Sequence, residues 1–220
     1  MDSLLCHVAG TTGNIHAAGI VVTGFLAPLM SRQKWQQRYA DARLPQPPCW
    51  LLNTYSHWLP DRGYGLDVAC GLGGNAMALA RAGLTVDALD YADNAVDKLN
   101  DYARREQLSI SAKWGDLESQ GLHAEQRYDV IVVSYYLHRP LLAQLADALA
   151  PGGLLFYQTF NSRRPALRGP SNPDFLLGEG ELSRAYAGLE TLLHREDLDL
   201  RGPEHALQTG YIGRKPATIR

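Results

Sequence analysis

Three aspartates are spaced so that each borders the end of a different apolar run. Asp67 lies four residues before Gly71, Asp90 lies 19 residues after it, and Asp116 follows Trp114-Gly115. The stretch Leu66-Asp67-Val68-Ala69-Cys70-Gly71-Leu72-Gly73-Gly74-Asn75-Ala76 places a glycine-rich turn between an apolar run and a small-residue helical run. Glycine lets the backbone approach a ligand and take positive φ, and helix N-terminal N–H groups favour an anionic or electron-rich group. A carboxylate at Asp90 suits two ribose hydroxyls. Asp116 suits the exocyclic amine of a purine, and Asp67 suits an ammonium group or orientation of the turn itself. Together they fit a ligand with an amino-acid part, a ribose and an adenine, with no diphosphate to accommodate. Gly71, Gly73 and Ala76 also satisfy the G-x-G-x-x-G/A dinucleotide pattern, so glycine spacing and Asp90 alone leave a nicotinamide cofactor open.

These residues need a scaffold that brings strand ends together. Gly65 to Ala69, Leu84 to Leu89, Leu108 to Trp114, Tyr128 to Val133 and Leu154 to Phe160 read as buried strands. Between them Gly73 to Ala82, Asn94 to Gln107 and Arg139 to Leu149 read as helices, and the turn Pro151-Gly152-Gly153 precedes the fifth strand. Strand and helix in alternation predict a parallel sheet covered on both faces by right-handed crossovers. Ligands then sit beyond the carboxyl ends of the strands, at the switch point. Upstream, Ser31 is a plausible N-cap for a helix in which Trp35 and Tyr39 share a face; Pro45, Pro47 and Pro48 break the chain, and a second helix is expected from Trp50 to Leu59. Trp35, Arg38 and Tyr39 could close over the cofactor, or Trp35 and Tyr39 could be a core stripe.

Composition narrows the function classes. The chain has 220 residues, 45% hydrophobic and 20% charged, enough for one domain with a real core. Its net charge of −2 argues against a partner held mainly by phosphate charge. Cys6, Cys49 and Cys70 show neither metal-ligand spacing nor a disulfide framework, so no metal is expected and a reducing cytoplasm is. Residues 1–30 hold one charged residue, Asp2, and read as an atypical tail or a start placed too early, ahead of Met30; residues 31–220 read as the domain. The apolar run Ala17 to Met30 spans 14 residues, short of the roughly 20 a membrane-spanning helix takes.

The pattern resembles class I S-adenosylmethionine-dependent methyltransferases. Leu66 to Gly73 looks like their first motif, Asp90 like their ribose-binding acid, Gly115-Asp116-Leu117 like their adenine-side motif and Tyr128 to Val133 like their fourth strand. The Trp35 and Tyr39 helix, Tyr136-Leu137-His138-Arg139-Pro140, Tyr157-Gln158-Thr159-Phe160 and the stretch from Gly169 to Leu177 resemble bacterial members related to the tellurite-resistance methyltransferases. The resemblance covers about residues 32 to 213. It implies an α/β, Rossmann-like fold: a seven-stranded, mostly parallel sheet with helices on both faces. Glu190 to Leu200 and Leu207 to Gly213 would supply the C-terminal antiparallel hairpin. Cofactor contacts would come from Asp67, Gly71, Gly73, Asp90, Tyr91, Asp116, Leu117 and Ser134, with Trp35 and Tyr39 closing over them. Where the family often has a charged or polar residue after the second glycine, this sequence has Gly74 and then Asn75, a minor departure.

The implied reaction is in-line displacement at a sulfonium methyl, in which positioning supplies much of the rate. His138, which follows the fourth strand near the expected methyl position, is the candidate base, unless it only caps a helix or packs. Arg139 would hold an anionic acceptor or a nearby carboxylate. Tyr135 and Tyr136 point in alternating directions, so that one faces the pocket and the other the core. Arg163, Arg164 and Arg168 lie on a loop that could be a lid or a solvated basic segment. The favoured function is methyl transfer to a small-molecule acceptor. A nucleic-acid methyltransferase would use the arginine loop for phosphate, but Ser134-Tyr135-Tyr136-Leu137 is not the Asn/Asp-Pro-Pro-aromatic tetrapeptide of base-amino methylation. An NAD-dependent oxidoreductase and a cofactor-binding regulator without turnover are the other classes.

Overall fold

The computed structural model describes residues 26–124, 126–164, 167–168, 170 and 172–217, with the backbone alone for residues 26–31. Most of the expected tail therefore lies outside the described residues, as do Pro165, Ala166, Gly169 and Ser171 of the arginine loop.

Seven strands form one sheet. They are β1 (Tyr64–Val68), β2 (Thr85–Asp90), β3 (Ile110–Trp114), β4 (Tyr128–Ser134), β5 (Leu149–Phe160), β6 (Glu190–Leu198) and β7 (Gln208–Arg214), in the spatial order β3-β2-β1-β4-β5-β7-β6. The first five are parallel, and β7 runs antiparallel to both β5 and β6. The order reverses between β1 and β4, which makes the carboxyl ends of those strands the switch point. This is the Rossmann-like sheet with a C-terminal antiparallel hairpin expected from the sequence.

Helices α1 (Leu26–Ala40), α2 (Trp50–Thr54), α3 (Gly74–Arg81), α4 (Asp93–Arg105), α5 (Leu117–Gln120), α6 (Leu141–Ala148) and α7 (Glu181–Ala185) complete the elements. One core holds Leu51, Met77, Leu79, Val86, Leu99, Val132, Phe156 and Ile212 on the α2–α3–α4 face. The other holds Leu66, Val68, Ile131, Val133, Leu145, Leu155, Tyr157 and Tyr211 beneath α6 and α7. Alternate residues of β1, β4 and β5 serve the two faces, so both sides of the central strands are apolar.

Three expectations are corrected. Ser31 is not an N-cap: α1 begins at Leu26 and runs through residue 31, with Pro28 in the first turn, where a missing N–H breaks no intrahelical bond. The proposed boundary at residue 31 thus falls inside a helix. The second helix stops at Thr54 and gives way to a 3-10 turn, Ser56–Trp58, because Leu59 precedes Pro60 and is extended at φ −66, ψ 139. Strand β5 starts at Leu149 rather than Leu154. The residues Pro151-Gly152-Gly153 form an irregularity inside the strand, held by Gly152 N–H to Lys215 O at 2.9 Å and Lys215 N–H to Gly153 O at 2.9 Å.

Candidate cofactor and acceptor site

The glycine turn is fastened from the strands on either side. Helix α3 begins after Gly73, which has φ +73 and no side chain to cap with. The missing cap comes from Asp67 in β1, whose Oδ2 accepts from Ala76 N–H at 2.9 Å. Asn75 Nδ2 donates to Asp67 Oδ1 at 3.2 Å and to Ser134 Oγ at 2.9 Å, while Asn75 Oδ1 accepts from Cys49 N–H at 2.9 Å. One buried amide thus joins β1, the end of β4 and the segment leading into α2. Asp67 is fully buried, and that burial pushes its carboxyl up to about 7, against the lowering effect of the bonds from Asn75 and Ala76. These bonds to Asn75 and Ala76 are those of a residue that orients the turn, one of the two roles open to Asp67 in the sequence.

Asp90 ends β2 and is 7% exposed. Its Oδ2 accepts from Gly71 N–H at 2.6 Å and its Oδ1 from Ala92 N–H at 2.8 Å, so its carboxylate is tied to the glycine turn. Burial raises its pKa, with the backbone bonds opposing. Gly71 has φ +52, and a Cβ there would stand 2.7 Å from the Tyr39 hydroxyl. Tyr39 therefore roofs the turn, with Trp35 stacked on it at 5.9 Å between ring centroids. Helix α1 is held in that place by α4: Arg32 pairs with Asp93, Gln36 Nε2 donates to Asp93 Oδ2 at 3.2 Å, and Lys98 Nζ donates to Tyr39 O at 2.7 Å and Ala40 O at 2.5 Å. Lys98 caps the carbonyls at the C-terminal end of α1.

Beyond Asp90, Tyr91 lies 6.2 Å from Trp114, whose Nε1 donates to Tyr91 O at 3.0 Å. Arg32 stands 5.4 Å over the Trp114 ring. Asp116 N-caps α5, with Oδ1 accepting from Glu118 N–H and Ser119 N–H at 3.2 Å each. Leu117 is buried in the core that also holds Leu66 and Val68. The Asp67 to Asp116 group, Ser134 and the α1 aromatics are therefore gathered at one edge of the sheet.

On the β4–β5 side, Tyr135 has φ +57, a conformation rare for a side-chain-bearing residue. Its half-exposed ring meets Phe160 at 5.8 Å, and Arg201 stands 5.1 Å above it. Tyr136 turns the other way, into the α6 face, where its hydroxyl is buried with no partner among the described residues. His138 is half-buried just before α6, and its carbonyl accepts from Leu141 N–H at 3.0 Å. Arg139 is committed elsewhere: Nε donates to Glu181 Oε1 at 2.7 Å, Nη1 to Asp174 O at 2.7 Å and Nη2 to Leu176 O at 3.0 Å. It clamps the loop before α7 and pairs with the nearby carboxylate of Glu181, one of the two partners expected for it. The loop arginines are paired as well, Arg163 with Glu196, Arg164 with Asp199 and Arg168 with Glu204. They fasten the loop to the β6–β7 hairpin.

Asn75, noted in the sequence only as part of a departure from the family's pattern, and Trp114 and Arg201 were given no role in the site from the sequence. Asn75 had a signal: an amide in the first turn of a helix that starts at glycine must find its partners outside that helix. Trp114 is the register partner of Asp90, which follows once β2 and β3 are aligned. Arg201 lies 66 residues from Tyr135 and carried no local signal.

Residues 66–153 match the family model described as a methyltransferase domain. A ubiquinone biosynthesis O-methyltransferase from Coxiella burnetii is 35% identical over 101 residues, 44% of this chain and 43% of that protein. The match thus spans less than half of that relative's length. Among solved structures, TehB from Haemophilus influenzae superposes with TM-score 0.63 at 21% identity, covering 84% of this chain and 66% of that one. A TehB-like SAM-dependent methyltransferase from Corynebacterium glutamicum gives TM-score 0.57 at 20% identity, covering 86% and 97%. Residues 66–153 of this chain are thus similar to a methyltransferase domain, and the chain has the fold of TehB and the TehB-like SAM-dependent methyltransferase.

Proposed function

We propose that this chain transfers a methyl group from S-adenosylmethionine to a small-molecule acceptor. The observation that carries the reading is the buried Asp90 carboxylate, bonded to Gly71 N–H and Ala92 N–H at the switch point beneath the Tyr39 roof. A glycine turn roofed by Tyr39, a carboxylate at the end of β2 and a flanking aromatic wall at Tyr91 and Trp114 fit a sulfonium nucleoside. When bound, S-adenosylmethionine supplies an electrophilic methyl group on a good leaving thioether.

The chain's own residues supply position. Asp90 would hold the ribose hydroxyls, Asp116 and Leu117 would border the base, and Gly71 and Gly73 would let the backbone approach the amino-acid part. Asp67, Asn75 and Ser134 keep the turn in place from behind. Trp35 and Tyr39 exclude water from above the turn. His138 would take a proton at a ring nitrogen when the acceptor arrives protonated. Tyr135, at the end of β4, borders the acceptor side.

The name of the Coxiella burnetii relative, a ubiquinone biosynthesis O-methyltransferase, supports a small-molecule acceptor. The pairing of Arg163, Arg164 and Arg168 with carboxylates weighs against a phosphate-binding loop for nucleic acid. An antiparallel β7 between β5 and β6 weighs against a dinucleotide oxidoreductase, whose sheet runs parallel in the order 3-2-1-4-5-6. Among the described residues, no helix is long and apolar enough to cross a membrane. The two described cysteines, Cys49 and Cys70, are free and buried, which supports a reducing cytoplasm.

The test is incubation of the chain with methyl-labelled S-adenosylmethionine and, in parallel, small phenols, carboxylates, thiols and amines, or total RNA and DNA. Label on a small molecule supports the reading. Label on nucleic acid alone contradicts it.

A further inference from the structure

Beneath Tyr135 a row of buried amides has its polarity set by the backbone. Leu51 N–H is a donor only, and it donates to Gln158 Oε1 at 2.7 Å. That contact fixes the Gln158 amide, because the reverse orientation would set two donors against each other. Gln158 Nε2 is left to donate to Gln208 Oε1 at 2.7 Å and to the Tyr135 hydroxyl oxygen at 3.4 Å. Gln208 must therefore turn its own Nε2 away from Gln158. That nitrogen is buried in a fully buried residue and has no partner among the described residues.

Leaving such a donor unmatched is costly, because its bond to water is lost on burial and nothing replaces it. It is the one amide end in this row that the described residues leave unsatisfied. Tyr135, accepting from Gln158, has its own O–H proton to give. Gln208 lies beside Phe160 in the β5–β7 register, and Arg201 stands 5.7 Å over the Phe160 ring and 5.1 Å over Tyr135. Among the described residues, Arg201 has no carboxylate partner, although its loop neighbours Asp199 and Glu204 each pair with an arginine. Arg201 thus lies over both aromatic rings at the carboxyl ends of β4 and β5, where Tyr135 carries its hydroxyl and the register partner of Phe160 carries the unmatched Gln208 amide.

We propose that Gln208 and Tyr135 form a donor pair, beneath the Arg201 guanidinium, that binds the carboxylate of the methyl acceptor, so that the acceptor class is a planar, carboxylate-bearing small molecule. This rests on the reading of the chain as a methyltransferase, since it assigns the group that holds the acceptor. The aromatic faces of Tyr135 and Phe160 select planarity, and the donor pair selects a charged oxygen over a neutral amide.

The test uses the full chain saturated with S-adenosylhomocysteine and titrated calorimetrically with benzoate, salicylate and cinnamate, each beside its neutral amide. At least one acid should bind about tenfold or more tightly than its amide. Gln208→Glu keeps an oxygen for Gln158 Nε2 but sets a negative charge where the donor was; it should remove the preference for the acid while leaving S-adenosylhomocysteine affinity unchanged. Tyr135→Phe, at the half-exposed strand end, should lower acid affinity about fivefold or more and decides the matter should the Gln208 variant not fold. Bound S-adenosylhomocysteine with acids and amides alike, or an acid preference that survives both substitutions, overturns the proposal. Failure of S-adenosylhomocysteine itself to bind overturns the methyltransferase reading instead.

Discussion

Asp90 Oδ2 accepts from Gly71 N–H at 2.6 Å, joining the end of one strand to the glycine turn that follows its neighbour. The bond makes Asp90 both a ligand candidate and a support for the turn. Asp90→Ala should weaken S-adenosylhomocysteine binding by about 1–3 kcal/mol, the usual cost of stranding buried polar partners. Calorimetry on the purified variant measures this, and an unchanged affinity would remove Asp90 from the cofactor site.

Asn75 holds three elements at once through Cys49 N–H, Asp67 and Ser134. Asn75→Ala should cost about 2–4 kcal/mol of folding stability, more than an ordinary surface change, because it strands partners on each side. Urea unfolding gives the number, and a loss below about 1 kcal/mol would show that the amide is not the joint described.

A Cβ at residue 71 would meet the Tyr39 hydroxyl at 2.7 Å and sit at φ +52. Gly71→Ala should therefore destabilise the chain and weaken cofactor binding, with about 1–2 kcal/mol due to the backbone conformation alone. Adding Tyr39→Phe should recover part of the loss by removing the contacting oxygen. Strict additivity in a double-mutant cycle would place Tyr39 away from the turn.

Burial pushes Asp67 up to about 7 and raises Asp90 as well. The unfolded chain loses these protons near pH 4, whereas the folded chain keeps them to higher pH, so the folded state binds more protons in between. Stability contributed through Asp67 should fall as pH rises from about 4 to about 7, and level off above. Asp67→Asn should flatten that slope, whatever its absolute stability. An unchanged slope from unfolding curves across the range would mean that Asp67 does not titrate there.

Much of the fold was legible because its central strands are continuous apolar runs, such as Ile131 to Val133, punctuated by glycine turns. Element ends were less so, since they depend on distant partners. Strand β5 continues through Pro151-Gly152-Gly153 only because Lys215, far along the chain, pairs with that stretch. In the site, the carboxylates could be placed by their positions at strand ends, but their partners could not. Arg139 illustrates this: its clamp on Glu181, Asp174 and Leu176 is set by how the loop before α7 folds back, which local spacing does not encode. Asn75 was readable as polar but not as a joint, because two of its three contacts come from other strands and the third from the segment before α2.

The most direct measurement is calorimetric titration of the full chain with S-adenosylhomocysteine and, separately, with NADH. The account predicts saturable binding of S-adenosylhomocysteine alone, lost or weakened in Asp90→Ala. Binding of NADH alone would contradict it and make Asp90 a dinucleotide-ribose ligand.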